Sequence, residues 1–301
     1  VQQPRNLLTG VVSALRPRQW IKNGLVIIAP AAAGHITSGA TLRHTAEAFV
    51  VFTLAASGLY LINDLRDREA DRLHPTKKFR AIASGVVSLP IAVVLAVALL
   101  LGAMAISWCA GASGHDFFFV VVTYITLTVA YSMVLKRQPV VEFAIVASGF
   151  FLRAFGGAVV SDLYISSWFL AVTAFAALFL VIGKRTAELK ELGSNAGAHR
   201  AVLAEYTPEF LRSALTLVAA VVVTTYCLWA FDVSPTGLSS VQHRVVLIRL
   251  TAVPVVVAIL HILRRLERGD GGAPEDLVFS DHTLQVLGLV WAVLFVLGIH
   301  A

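Results

Sequence analysis

Residues 61–85 read LINDLRDREADRLHPTKKFRAIASG. An apolar run of transmembrane length gives way here to Asn63, Asp64, Asp67 and Asp71. Asp64, Asp67 and Asp71 are spaced i, i+3, i+7, and Asn63 and Asp67 are i, i+4, so a helix would place all of them along one stripe. Carboxylates packed this closely repel one another and call for a cation. Oxygen-only ligands suit Mg2+ held jointly with a substrate's phosphates. Arg66, Arg68, Arg72, Lys77, Lys78 and Arg80 follow at once. Carboxylate-held Mg2+ beside cations is a natural receptor for pyrophosphate. A solvated, ion-paired loop between helices is the plain alternative. The one-face spacing at the end of a membrane helix favours the receptor.

The composition around this stretch is that of a membrane protein. Of 301 residues, 57% are hydrophobic and 14% charged, and the mean hydropathy is +0.79, well outside the range of soluble domains. The expected fold is all-α, a single transmembrane domain over residues 1–301. Nine apolar segments stand at about 19–36, 42–64, 88–110, 115–135, 139–161, 166–187, 208–231, 243–266 and 282–300, each near the roughly 20 residues a spanning helix needs. With the N-terminus cytoplasmic, 20 of the 24 Lys and Arg fall inside and Arg43, Arg244 and Arg249 fall outside, leaving Arg153 within a segment. That asymmetry fits nine crossings and an outer C-terminus.

The net charge of +6 suits helix ends and anionic head groups rather than nucleic acid. No cleavable signal peptide is expected. Cys109 and Cys227 have no metal-ligand spacing and read as packing residues, with a disulfide between them as the alternative. Long charged inner loops and bare outer ones place the chemistry on the cytoplasmic side. The tract 191–200 reads as a flexible connector and 269–281 as a loop into the last segment. Segments two and six both end in charged clusters about 120 residues apart, a weak sign of two related halves.

Four further clusters carry candidate chemistry. In RPRQWIKN (16–23), Lys22 and Asn23 could reach a phosphate, while Trp20 suits an interfacial anchor. In YSMVLKRQPVVE (131–142), Lys136 and Arg137 serve topology or a phosphate, and the intramembrane Glu142 calls for a partner. In FLRAFGG (151–157), the deep Arg153 is either a buried ion-pair member or an anion ligand on a cavity floor, and Gly156 and Gly157 permit close helix approach. In GKRTAELKE (183–191), Lys184, Arg185 and Glu188 form either a helix-end salt-bridge series or a second wall of the site. His261 reads as a satisfied interfacial histidine, and Trp168, Trp229 and Trp291 as packing or anchoring residues.

NDLRDREAD (63–71), RPRQWIKN (16–23), the Leu135-Lys136-Arg137 triplet and the nine-segment pattern together resemble the UbiA-type intramembrane prenyltransferase superfamily. The resemblance covers nearly the whole chain. It implies nine helices around a polar cavity open to the cytoplasmic side, closed by the loops after the second and sixth helices. Two acidic motifs there would bind Mg2+ and pyrophosphate. The second motif departs from the common pattern: Lys184-Arg185-Thr186-Ala187-Glu188 carries one acid and two cations where two aspartates are usual. Ala81 likewise stands where a proline commonly follows the arginine.

The GKRxAEL variant resembles the branch that moves 5-phosphoribosyl from phosphoribosyl pyrophosphate to polyprenyl (decaprenyl) phosphate for cell-wall arabinan precursors. On that resemblance Asp64, Asp67 and Asp71 are the expected catalytic acids, and Asn63, Asp64, Asp67 and Glu188 the expected metal ligands. Lys22, Asn23, Asn63, Lys78, Arg80, Tyr131, Lys136, Arg137, Glu142, Arg153, Lys184, Arg185 and Glu188 are the expected substrate contacts. The implied cofactor is Mg2+. The implied partners are the two phosphorylated substrates and the lipid bilayer of the bacterial plasma membrane, with no nucleic acid and with a homo-oligomer left open. The competing activity is prenyl transfer from a prenyl diphosphate to an aromatic acceptor. A transporter for a phosphorylated solute would instead show broken mid-membrane helices and charge on both faces.

Overall fold

The computed structural model describes residues 6–36, 38–74, 76–111, 113–193, 201–232, 239–269, 277 and 280–300. Every regular element among them is a helix. The connector at 191–200 is described only to Gly193, and the loop at 269–281 only at its ends and at Leu277, so both expectations lie largely outside the described residues. The chain packs as two compact units, 1–133 with 152–164 and 134–151 with 165–301.

In the first unit, α1 (Leu7–Leu15) starts on a reciprocal cap between Asn6 and Thr9 and ends at Arg16, whose φ of 54° is left-handed. A 3-10 helix, Pro17–Ile27, runs into the short α2 (Ile28–Ala32). The segment expected at 19–36 is therefore not one regular spanning helix. Asn23 is buried and its side chain is bonded outward, and Pro30 has no amide to continue a ladder.

The long α3 (Gly39–Arg66) is followed at Asp67 by α4 (Arg68–Leu73). A 3-10 turn, Lys77–Phe79, leads to α5 (Leu89–Cys109) and α6 (Gly114–Met133). α3 packs against α5 through small residues, and against α6 through the Phe52 ring set edge-on to Phe117 and Tyr124. A Cβ on Gly58 would sit 3.1 Å from the Ala96 carbonyl, and Ala92, Ala96 and Ala103 are buried along α5. Small residues are what let helices approach where lipid gives no hydrophobic drive.

α7 (Val141–Val160) begins in the second unit and ends in the first. Gly157 requires its missing side chain, since a Cβ there would lie 1.9 Å from the Val26 carbonyl. Gly156 is pressed by the Phe52 and Phe117 rings in the same way.

The second unit contains α8 (Ser167–Leu192), α9 (Pro208–Asp232), α10 (Ser239–Leu250), α11 (Ala252–Arg268) and α12 (His282–His300). Ser166 caps α8 by accepting from the Phe169 amide, and Thr207 accepts from the Phe210 amide ahead of Pro208 in α9. α9 packs on α8 and α11 around Phe179, Leu203, Leu211, Leu266 and Leu277. Trp291 stacks on Phe295 and donates to the Tyr226 hydroxyl.

Eight helical stretches among the described residues are long and apolar enough to cross a membrane. Cys109 and Cys227 are both free thiols.

Candidate active site

α3 is packed inward from Val51 to Asp64, with no exposed residue in that stretch, and delivers Asn63 and Asp64 at its end. Asp67 caps α3 and begins α4, with φ −85° and ψ 4°. The helix therefore breaks within the expected carboxylate stripe, although the i→i−4 ladder carries on through Asp67 N–H to Asn63 O and Asp71 N–H to Asp67 O. The break leaves Asp64 and Asp71 buried, each 4% exposed, with Asp67 half-buried.

One Arg80 nitrogen bridges the two buried acids, at 3.1 Å from Asp64 and 2.8 Å from Asp71. The Arg16 guanidinium binds the same Asp64 oxygen and lies 4.7 Å over the Tyr60 ring. Two carboxylates and two guanidiniums thus form one neutral cluster. The acids lie inward, and the arginine side chains are about a quarter open to the surface, at 27% and 28% exposure. Such bonds between ionised partners are roughly twice as strong as neutral ones.

The neighbouring cations are committed differently. Arg66 donates to the Ser132 and Met133 carbonyls, closing the last turn of α6. Arg72 bonds the Ala83 carbonyl and Glu69. Lys78 is exposed and rests over Phe79.

Arg153 and Asn23 form a separate buried network in the same unit. Arg153 Nε donates to Asn23 Oδ1 at 2.8 Å, and another of its nitrogens donates to the Tyr124 hydroxyl at 2.7 Å. The guanidinium also lies 4.7 Å from the Tyr124 ring centre, and Asn23 donates onward to Thr53. Cation–π contact and neutral acceptors offset the cost of burying this charge. Trp20 is likewise pinned inward, its indole donating to the Leu15 carbonyl and the Ser57 hydroxyl.

In the second unit, Glu142 finds its partner in Arg185. Arg185 Nε lies 2.9 Å from Glu142 Oε1, a terminal nitrogen 3.3 Å from Glu142 Oε2, and the other 2.8 Å from Glu188 Oε2. Glu142 is fully buried and the Arg185 side chain is 4% exposed, while Glu188 is 29% open. This arrangement has the geometry of a framework ion pair. Lys184 is half-buried beside it, and Lys136 and Arg137 lie on a 3-10 turn at Leu135–Arg137. Val140, just beyond, holds a left-handed φ of 65°, and its amide donates to the Tyr206 hydroxyl. Lys22 and Tyr131 are half-buried in the first unit.

Arg16, which in the sequence reads only as one of the inner-side basic residues, stands on Asp64. Tyr60, Tyr124 and Thr53 carry no signal in the sequence that marks them for these networks. A buried acid announces that it needs a cation, but proximity in sequence points to Arg66 or Arg68 before Arg16, 48 positions away.

Among the described residues no three His, Cys, Asp or Glu side chains converge closely enough to hold a metal unaided. The donor chemistry nevertheless fits Mg2+: Asp64 and Asp71 are buried oxygen donors sharing one cation, with Asn63 and Asp67 on the adjoining turn. Mg2+ is commonly held by one or two carboxylates, with water and substrate phosphate completing its shell.

Residues 24–282 match the family model described as UbiA prenyltransferase family. A Corynebacterium glutamicum protein named decaprenyl-phosphate phosphoribosyltransferase is 43% identical over 99% of this chain and 89% of its own length. A Mycobacterium tuberculosis protein of the same name is 43% identical over 96% and 94%. A UbiA homologue from Archaeoglobus fulgidus, solved with GPP and Mg2+, superposes with a TM-score of 0.68 at 20% identity, covering 96% of this chain and 98% of that one. The last shows a shared fold. Taken with the full-length sequence likeness, these matches establish that the chain belongs to the UbiA prenyltransferase family.

Proposed function

We propose that this protein transfers 5-phosphoribosyl from phosphoribosyl pyrophosphate to decaprenyl phosphate or a similar polyprenyl phosphate, releasing pyrophosphate. The observation that carries the reading is 43% identity, across 99% of the chain, to a relative named for that activity. In the reaction the bond from the ribose anomeric carbon to pyrophosphate breaks, and a lipid phosphate oxygen bonds to that carbon. Positive charge builds on the sugar as the leaving group departs, as in other glycosyl transfers. The acceptor phosphate is already an anion, so no general base is required. Catalysis then rests on positioning and electrostatics.

The carboxylates of Asp64 and Asp71, with Asn63 and Asp67 beside them, would hold Mg2+. Bound there, the metal would supply charge neutralisation for the departing pyrophosphate. Arg80, Lys78 and Lys22 are assigned to the donor's phosphates. Within the second unit, Lys184, Lys136 and Arg137 are assigned as phosphate ligands, and within the first Tyr131 is assigned to the sugar. Arg153 and Asn23 brace the first unit's polar interior. Glu142, Arg185 and Glu188 brace the second unit and position Lys184.

We further assign residues 1–301 to one functional transmembrane domain in the plasma membrane. The 3-10 segment and α2 complete a ninth crossing, the N-terminus is cytoplasmic, and the site opens to the cytoplasm. The 20-to-3 bias of basic residues supports this orientation. The product would be a lipid-linked phosphoribose for cell-wall arabinan synthesis.

The test is purified protein with labelled phosphoribosyl pyrophosphate and decaprenyl phosphate, with and without Mg2+. Metal-dependent labelling of the lipid is expected. Prenyl transfer from geranylgeranyl diphosphate to an aromatic acceptor, without phosphoribosyl transfer, would replace this reading by the competing one.

A further inference from the structure

Asp64 and Asp71 stand in a region built for a cation, yet both are already neutralised. The Arg80 nitrogen bridges them, and Arg16 adds a second guanidinium on the same Asp64 oxygen. The acids stand on helices, Asp64 in the last turn of α3 and Asp71 in α4, and each side chain is only 5% exposed. The arginines, 27% and 28% exposed, stand outside any α-helix. Arg16 sits on a left-handed joint between α1 and the 3-10 helix, and Arg80 lies in extended backbone after the Lys77–Phe79 turn. Both have a face open to the surface, where an arriving anion would meet them.

Divalent metal cannot simply join this cluster, because its two charges would then sit against two guanidiniums. Metal binding therefore requires that at least one arginine withdraw, and a withdrawn guanidinium needs another anion. A diphosphate provides one, and the planar guanidinium fork matches phosphate oxygens. The Tyr60 ring beneath Arg16 offers contact to the cation during the exchange.

We infer that Arg16 and Arg80 are exchangeable counter-cations of the Asp64–Asp71 pair, transferring to phosphate oxygens when metal and diphosphate arrive together. Arg16 is thereby a residue of the donor site drawn from the N-terminal segment, 48 positions from the acid it guards. Metal alone binds weakly, and diphosphate alone finds its arginines occupied. Each strengthens the other by the same factor, as linkage requires. The inference rests on the phosphoribosyl-transfer reading only for the identity of the diphosphate, not for the exchange itself.

The measurement is Mn2+ binding to the purified full-length protein in lipid nanodiscs, followed by the EPR signal of free Mn2+ without any substrate. Arg16→Gln should bind Mn2+ about tenfold more tightly than wild type, since a competing positive charge is lost, with the size discounted for partial exposure. Arg16→Lys should restore weak binding. A residue that merely braced the fold would shift the affinity the other way or leave it unchanged. In kinetics at saturating Mg2+, Arg16→Gln should raise KM for phosphoribosyl pyrophosphate about tenfold, because one phosphate ligand is gone.

Arg80→Gln gives the same metal measurement if Arg16→Gln fails to fold. Unchanged or weaker Mn2+ affinity in the folded variants overturns the exchange, even if phosphoribosyl transfer proceeds. Tighter Mn2+ binding in a protein that uses only prenyl diphosphates would uphold the exchange and overturn the function proposed above.

Discussion

The two units each carry a buried acid–arginine cluster, and the clusters differ in how they are built. In the first, the acids come from helices and the arginines from the ends of 3-10 segments, and the cations are partly open. In the second, Arg185 projects from the body of α8, 4% exposed, and is held at three nitrogens by Glu142 and Glu188. The same pairing chemistry therefore serves exchange in one unit and rigidity in the other. What separates them is whether the cation stands on a helix or on a joint.

Asp64 is where the two clusters should differ most. Asp64→Asn should lower turnover by a factor of about a hundred to a thousand, on the scale of losing one preorganised charge partner in a reacting site. The protein should stay folded, since Arg80 keeps Asp71. Steady-state transfer rates with a parallel unfolding curve check this; near-normal turnover would remove Asp64 from the site.

In the second unit the expected loss is of stability. Glu142→Gln leaves Arg185 buried without its fully buried counter-charge and should cost about 3–5 kcal/mol, read from denaturant unfolding in detergent. The double variant Glu142→Leu with Arg185→Met should recover much of that loss. A fully stable Glu142→Gln protein would mean that this pair is not a brace.

Lys184→Ala, beside the brace, should weaken use of phosphoribosyl pyrophosphate by roughly ten- to a hundredfold, the worth of one charge-assisted phosphate contact. Stability should be little changed. Donor kinetics that do not move would take Lys184 out of the site.

The acid-rich stretch and the all-helical, membrane-spanning character were legible because they rest on local spacing and on length. The partners of the acids were not. Arg16 lies far from Asp64 in sequence, and nothing in RPRQWIKN says that its first residue turns toward α3 while Asn23 turns toward Arg153. The first apolar segment looked like a spanning helix because hydropathy does not register a 3-10 winding around a buried asparagine. Arg185 was legible as an i, i+3 partner of Glu188, but its grip on Glu142, 43 positions away, was not.

The smallest effect concerns Asp281, outside the spanning helices and at the start of α12. It pairs with His261 at 3.0 Å and accepts from the Thr283 and Leu284 amides. The hydrogen bond from His261, above all, holds its carboxyl down from 3.8 to about 2, with burial opposing. Because the folded value is the lower one, the unfolded chain binds more protons in this range and stability rises with pH. The contribution is present above pH 3.8 and is lost as pH falls through about 2. Asp281→Asn should flatten the dependence of Tm on pH in that window and leave transfer unchanged. An unaltered slope would dismiss the pair as a source of stability.

If the first cluster does chemistry while the second holds the fold, Mg2+-dependent phosphoribosyl transfer per folded molecule must separate Asp64→Asn from Glu142→Gln when the two are measured side by side. The Asp64 variant should be folded but nearly inactive, and the Glu142 variant destabilised, with a folded fraction that turns over within about tenfold of wild type, the spread allowed for imperfect positioning of Lys184. A stable, inactive Glu142 variant beside an active Asp64 variant would contradict that division.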